Sequence, residues 1–255
     1  MKRRGMKRLL SPLQAAVLAK LAGSAALVAF DFDGTLAPIV ARRGSARMRA
    51  RTRTLLAKVC RLYPCAVITG RSRVDVTRRL SGAAVKWVVG NHGLEPGSQL
   101  ARFEKDIVQA RTSLRGALAG LQGVDFEDKR YTLAIHYRRA TDKRKARAAI
   151  LRAVAGLAVP TRTIAGKLVI NLVPQGAPNK GTALLALRRA AKAVTALYVG
   201  DDVTDEDVFA LDRSADVLTV RVGRSKSSAA TYYLREQSEL DQLLSRLIEL
   251  RERRI

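Results

Sequence analysis

Asp31 and Asp33 stand one residue apart in Asp31-Phe32-Asp33-Gly34-Thr35, directly after six apolar residues, Ala25–Phe30. An apolar run that ends in a Gly-containing break reads as a buried strand closed by a tight turn. In open α/β sheets, ligands bind beyond the carboxyl ends of the strands, and both carboxylates fall there. Two acids at the end of a hydrophobic strand are costly unless a cation or hydrogen bonds compensate them. The compensation implied is a hard divalent metal such as Mg²⁺, which prefers oxygen ligands.

Further groups with chemistry follow along the chain. Thr69-Gly70-Arg71 ends a second apolar run, Lys180 opens a predicted helix, and Asp201-Asp202 ends the run Leu197–Gly200. Together they suit phosphoryl transfer through a covalent intermediate. A carboxylate can attack phosphorus, and a divalent cation offsets its repulsion from an anionic phosphate. Thr69 and nearby amides suit phosphate oxygens. Lys180 adds positive charge at a helix start, which itself favours anions. Simpler readings stand beside these. Acids at 201–207 also suit a helix N-terminus, Thr69-Gly70-Arg71 an ordinary turn, Lys180 a surface lysine, and His92 a hydrogen-bonded structural role.

The elements that would position these residues alternate through the first half. Arg47–Leu62 shows helical spacing and Cys65–Gly70 reads as a buried strand. A short helix is expected over Val74–Leu80, and Trp87–Gly90 reads as a third strand. Continuous apolar strands with helical crossovers imply a parallel sheet covered on both faces. In the middle, Phe103 to Leu121 suggests one long amphipathic helix. Tyr131–Arg138 and Lys167–Leu172 alternate as half-exposed strands around a basic helix over Asp142–Gly156. This predicts a small antiparallel α+β unit inserted into the parallel one. The buried pattern then returns, with Val217–Val222 as the last core strand and a charged helix over Glu236–Arg253.

The chain has 255 residues, 47% of them hydrophobic, enough for one large domain or two small ones. No apolar stretch reaches the ~18–20 residues needed to span a bilayer. Cys60 and Cys65 show neither metal nor disulfide spacing. Met1-Lys2-Arg3-Arg4 before an Ala/Leu-rich stretch superficially resembles a signal peptide. Lys20 interrupts that stretch, and a cut near Gly23-Ser24-Ala25 would leave the Asp31 strand ragged, so a cytoplasmic location is expected. The net charge of +25 raises a polyanion-binding hypothesis. The arginines are scattered and only 5% of residues are aromatic, which favours a solvated basic surface. The acids are clustered instead: five of 22 lie within Asp201–Asp207.

The ordered set resembles a known family. Asp31-Phe32-Asp33-Gly34-Thr35 matches the Asp-x-Asp-x-Thr hallmark of the haloacid dehalogenase superfamily. Ile68-Thr69-Gly70-Arg71, Gly90-Asn91-His92-Gly93-Leu94-Glu95, Asn179-Lys180-Gly181 and the segment Gly200–Phe209 resemble the trehalose-6-phosphate phosphatase family. So do Glu127-Asp128-Lys129, His136-Tyr137-Arg138 and Gly166-Lys167. The resemblance covers about residues 24–235. It implies a parallel-sheet, Rossmann-like core of the haloacid dehalogenase type over 1–97 and 177–255. An α+β cap for sugar recognition would occupy 98–176. Asp31 would be nucleophile and metal ligand. Asp33 would be general acid and then base, with its backbone carbonyl on Mg²⁺. Asp201 would be the third protein ligand, supported by Asp202 and Asp205, and Thr69 and Lys180 would hold phosphate. Arg71, Asn91, His92 and Glu95 would lie near the seam of core and cap. Lys129, His136, Arg138, Lys167 and Asn171 would face the sugar.

The implied activity is Mg²⁺-dependent hydrolysis of trehalose 6-phosphate by a cytoplasmic monomer, with no nucleic-acid or membrane partner. Asn171 departs from the Glu usual in that family. It is shorter, neutral, and both donor and acceptor. It raises the alternative of another glycosyl phosphate as substrate. A polyanion-binding protein on the same fold is the remaining reading.

Overall fold

The computed structural model describes residues 5–40, 43–211 and 216–254. Residues 1–4, half of the basic N-terminal run, lie outside them. Two compact units are present: Met1–Gly93 with Asn179–Ile255, and Leu94–Pro178.

The first unit begins with β1 (Lys7–Arg8), α1 (Ala15–Ala22), β2 (Ala26–Phe30), α2 (Ala50–Leu62), β3 (Cys65–Ile68), α3 (Arg73–Arg79) and β4 (Trp87–Val89). The second holds α4 (Leu100–Ala117), β5 (Asp125–Asp128), β6 (Leu133–His136), α5 (Lys143–Ala155), β7 (Thr161–Gly166) and β8 (Val169–Pro174). The first resumes with α6 (Lys180–Ala190), β9 (Thr195–Gly200), α7 (Glu206–Phe209), β10 (Val217–Val222), β11 (Tyr232–Leu234) and α8 (Glu239–Glu252).

The first unit is the parallel α/β sandwich that continuous apolar strands imply, in the order β1-β11-β10-β9-β2-β3-β4. Successive strand residues point to opposite faces. Val28, Phe30, Val67, Leu197 and Val199 pack with Leu56 and Val59 of α2 and Leu243, Leu244 and Leu247 of α8. Leu27, Ala29, Ala66, Ile68 and Tyr198 pack with Leu184 of α6 and Phe209 of α7. That alternation sends Tyr198 toward α6. The Ala/Leu-rich N-terminal stretch is α1, whose Leu18 and Leu21 join the first cluster. No helix among the described residues is long and apolar enough to cross a membrane.

The second unit is an antiparallel sheet, β5-β6-β8-β7. Leu133, Ile135, Ile170 and Leu172 on one face pack with Ile107, Leu114 and Ile150 of its helices. The other face carries Glu127, Ala134, His136, Asn171 and Ile164, set by the pairings Glu127 with Ala134 and Asn171 with both Ala134 and Ile164.

Several elements differ from the sequence reading. α2 starts at Ala50 rather than Arg47, and α4 stops at Ala117, although Leu118 and Leu121 still join the apolar cluster. The strand expected over Tyr131–Arg138 is only Leu133–His136. A tight turn with Arg130 at φ +73 precedes it, and Arg138 sits exposed in the turn beyond it. Lys167-Leu168 is not strand but the turn of the β7–β8 hairpin, with Leu168 at φ +61. β10 is not the last core strand: β11 pairs outside it, and β1 outside β11.

Candidate active site

The site is built at the carboxyl ends of β2, β3 and β9. Asp31 follows β2, and its N–H donates to Val199 O of β9 at 2.9 Å, so the first acid is held between two strands. The chain then turns back, with Gly34 N–H on Ala37 O and Ala37 N–H on Phe32 O at 2.7 and 2.8 Å. Gly34 has φ +80, and a Cβ there would stand 2.1 Å from Asp201 Oδ2. Only glycine combines that backbone with so close a carboxylate.

Lys180 is placed by the start of α6. Asn179 and Thr182 form a reciprocal capping box, which makes Lys180 the first helical residue. Its Nζ lies 3.0 Å from Asp31 Oδ1 and 2.7 Å from Asp205 Oδ1, and it is 1% exposed. Asp205 is fully buried and saturated. Tyr198 Oη donates to it at 2.6 Å, and the N–H groups of Asp201 and Asp202 donate at 2.8 and 2.9 Å. The acidic cluster at 201–207 therefore does two things. Asp202 and Asp205 cap a short 3-10 turn reciprocally, as acids at a helix start do. Asp205 also anchors the lysine.

Three carboxylates in one place strain their own ionisation. Burial pushes Asp31 up to about 7, with Asp205 and Asp33 adding to the rise against the pull of Lys180. Burial also pushes Asp201 up to about 9, helped by Asp31, Asp205 and Asp202. Lys180 is held above its ordinary value by the charges of Asp205 and Asp31, despite the opposing effect of burial. Oxygens of Asp31, Asp201 and Asp205 lie within 4.8 Å of one another. Asp205 is already filled by four donors, so Asp31 and Asp201 are the carboxylates left to share a cation. An all-oxygen, excess-negative donor set fits a hard divalent ion.

Asp33 points elsewhere. Its two oxygens accept from Nε and Nη2 of Arg71, each at 2.6 Å. Arg71 Nη1 donates to Asp75 Oδ2 at 2.7 Å. Thr69 is 1% exposed, and its Oγ1 accepts from Arg71 N–H at 3.2 Å. Asn91 N–H donates to Arg71 O and His92 N–H to Thr69 O, at 2.7 and 2.9 Å. The His92 ring lies over Gly70, 2.4 Å from where a Cβ would be. Gly93, at φ +115, closes against Asn179 O, 2.4 Å from its own would-be Cβ.

The structure thus brings Asp31, Asp33, Thr69, Arg71, Asn91, His92, Lys180, Asp201, Asp202 and Asp205 together in the first unit. The second unit carries the rest. Glu95 lies near its start. Lys129 is buried, with Nζ 3.4 Å from Asn171 Oδ1, and His136 Nε2 lies 2.9 Å from Glu127 Oε2. Arg138 and Lys167 are exposed in turns, just beyond the strands that carry His136 and Asn171. Two residues of the site escaped the sequence reading. Tyr198 is a polar tip on a buried strand, which needs a partner. Asp75 follows Ser72 by three and sits four from both Arg71 and Arg79, a cap and ion-pair spacing.

A parallel α/β unit with its acids and lysine at the strand ends, interrupted by an antiparallel α+β insert, is an α/β fold of the haloacid dehalogenase type with a cap. The sequence profile of the Trehalose-phosphatase family matches residues 29–238, and the chain belongs to that family. Trehalose-phosphate phosphatases of Mycolicibacterium paratuberculosis and Mycobacterium tuberculosis are each 33% identical, over 253 and 221 residues. Those matches cover 91% and 81% of this chain, but only 64% and 56% of the relatives' own length. The solved C-terminal domain of Candida albicans trehalose-6-phosphate phosphatase superposes with a TM-score of 0.77 at 22% identity, over 97% of this chain and 99% of that one. The Aspergillus fumigatus trehalose-6-phosphate phosphatase gives 0.63 at 26% identity, over 96% and 99%.

Proposed function

We propose that the protein is a divalent-cation-dependent phosphatase that releases phosphate from trehalose 6-phosphate. The observation that carries the reading is Asp31 held at 3.0 Å from a buried Lys180, beside Asp201, in a chain of this family. Asp31 attacks phosphorus and forms an acyl phosphate as the ester P–O bond breaks. The departing sugar oxygen takes a proton from Asp33. Asp33 then removes a proton from water, which attacks the same phosphorus and frees Asp31 and inorganic phosphate. Lys180 and the Thr69 hydroxyl neutralise and hold the phosphoryl oxygens. Asp31, Asp201 and the Asp33 carbonyl would hold a divalent ion such as Mg²⁺, which would supply charge neutralisation and orientation. Asp202 and Asp205 shape its ligands. Asn91, His92, Glu95, Lys129, His136, Arg138, Lys167 and Asn171 are the substrate-contact set in this reading, while Arg71, expected among them, is turned onto Asp33. The enzyme works as a cytoplasmic monomer.

Phosphate release from trehalose 6-phosphate, with and without Mg²⁺, tests the reading against glucose 6-phosphate, sucrose 6-phosphate and glucosylglycerol phosphate. Preference for another ester keeps the mechanism and discards the substrate. No hydrolysis of any ester discards both. Asn171 is the reason for the panel, since it offers the buried Lys129 a neutral oxygen at 3.4 Å where the family usually carries a carboxylate. Asn171→Glu is expected to raise kcat/KM for trehalose 6-phosphate relative to the other esters by about tenfold, ~1.4 kcal/mol. An unchanged ratio removes this position from substrate choice.

The cation reading has its own check. At 100-fold excess over its Kd, a ligand of the native state adds about 2.7 kcal/mol, or roughly 5–10 °C in Tm for a chain of this size. Mg²⁺ is expected to raise Tm by that order. Asp201→Asn is expected to abolish the rise and, by removing an acid whose ionisation burial and its neighbours oppose, to raise the metal-free Tm. A rise that survives in the variant places the ion elsewhere.

A further inference from the structure

We propose that Arg71 is a positioning residue for Asp33. It fixes the carboxylate that exchanges protons with the leaving group and with water, and affects turnover through that carboxylate rather than by gripping substrate. The proposal rests on the phosphatase reading above.

The geometry is that of a braced clamp. The Nε–Nη2 edge of the guanidinium, a planar fork that matches a carboxylate with two parallel bonds, faces Asp33 with both contacts at 2.6 Å. Its side chain is 3% exposed, whereas that of Asp33 is 37% exposed. The arginine is therefore the fixed member and the acid the accessible one. Phe32 lies under the guanidinium, 5.5 Å from ring centre to Cζ. Asp75 braces the far side at 2.7 Å. Asp75 is itself held by Arg79 at 2.9 Å and by its own N–H on Ser72 Oγ at 3.3 Å. Arg79 in turn donates to Ala46 O at 2.6 Å. The main chain of Arg71 is tied at both ends, to Thr69 Oγ1 and to the N–H of Asn91.

An accessible aspartate on a short side chain has several rotamers, and proton transfer needs hydrogen-bond reach to one oxygen of the substrate. Two parallel hydrogen bonds restrict the carboxylate to one plane and one distance. A misplacement of 1 Å is enough to cost about 100-fold in rate. A lysine provides a point charge but no such plane.

The test is a double-mutant cycle on trehalose 6-phosphate at saturating Mg²⁺, with wild type, Arg71→Ala, Asp33→Asn and the pair. Arg71→Ala is expected to lower kcat by about 100-fold with KM changed by less than about threefold. The double variant is expected to be no slower than Asp33→Asn alone. Arg71→Lys should lie between, about tenfold down in kcat, and Asp75→Asn should fall by a few-fold in kcat only. A large rise in KM with kcat kept overturns the proposal in favour of a substrate clamp. Losses that multiply in the double variant also overturn it. Circular dichroism and thermal melts screen each variant, and Arg71→Lys carries the cycle if Arg71→Ala fails to fold. Wild-type hydrolysis of p-nitrophenyl phosphate but not of trehalose 6-phosphate overturns the substrate reading alone, and the cycle is then read on the aryl ester. A wild type inert to both overturns both.

Discussion

Asp31→Asn is expected to abolish phosphate release, by about four orders of magnitude or more, while the fold survives. Loss of a nucleophile that acts with its partners as a unit typically removes nearly all of their joint effect. The substitution keeps the shape of the side chain and removes only its charge and its attacking oxygen. Its backbone N–H on Val199 O is untouched. Lys180 loses one ionic partner at 3.0 Å but retains Asp205 at 2.7 Å, so no buried cation is stranded. The crowding that pushes Asp201 up is also relieved. Stability should therefore move by no more than about 1 kcal/mol, a few degrees in Tm. Steady-state turnover and a thermal melt on the same preparation check both halves. Turnover above about one per cent of wild type would remove Asp31 from the chemistry.

Lys180→Met carries the opposite signature, with stability and activity falling together. The methionine fills similar volume but leaves Asp31 and Asp205 facing each other with no cation between them. Asp205 is fully buried and Asp31 nearly so. Removing one partner of a buried ion pair costs about 3–5 kcal/mol, because the remaining charge cannot return to water. For a chain of this length that is a fall of roughly 10 °C in Tm. Asp205 keeps Tyr198 and two N–H donors, so the loss should fall short of complete unfolding. Differential scanning calorimetry decides it. A Tm within about 2 °C of wild type would mean that the lysine is not what balances these acids.

The parallel core was legible in the sequence because its strands are buried on both faces. Ala26–Phe30, Cys65–Ile68 and Leu197–Gly200 read as uninterrupted buried runs, and the acids that follow the first and third had nowhere to be but the strand ends. Short edge elements were not legible. β1 has two residues and β11 three, too few to show a period, and their pairing is set by β10. The β7–β8 hairpin was half read. Thr161–Gly166 lies on the edge of its sheet with little apolar signal, and the turn at Lys167-Leu168 lacks the usual Gly or Asn. At the site, spacing exposed Asp31, Lys180 and Asp201 but not the direction of each side chain. That Asp33 faces Arg71 and Asp205 faces Lys180 depends on contacts across 38 and 25 residues. No local pattern carries such information. Asp75 and Tyr198 left signals, a helix cap and a lone buried hydroxyl, that point to a partner without naming it.

The closure of Gly93 on the carbonyl of Asn179 has a consequence for the chain as a string. The 85 residues of Leu94–Pro178 leave the parallel unit and return to it at the same point. An excursion whose ends already touch can be shortened, lengthened or exchanged without moving either anchor, since closing a longer flexible loop adds only about 0.6 kcal/mol per doubling of length. The parallel unit is in this sense a closed circuit with a socket, and the insert is a module plugged into it. The insert can then change in length or sequence while Asp31, Lys180 and Asp201 keep one arrangement.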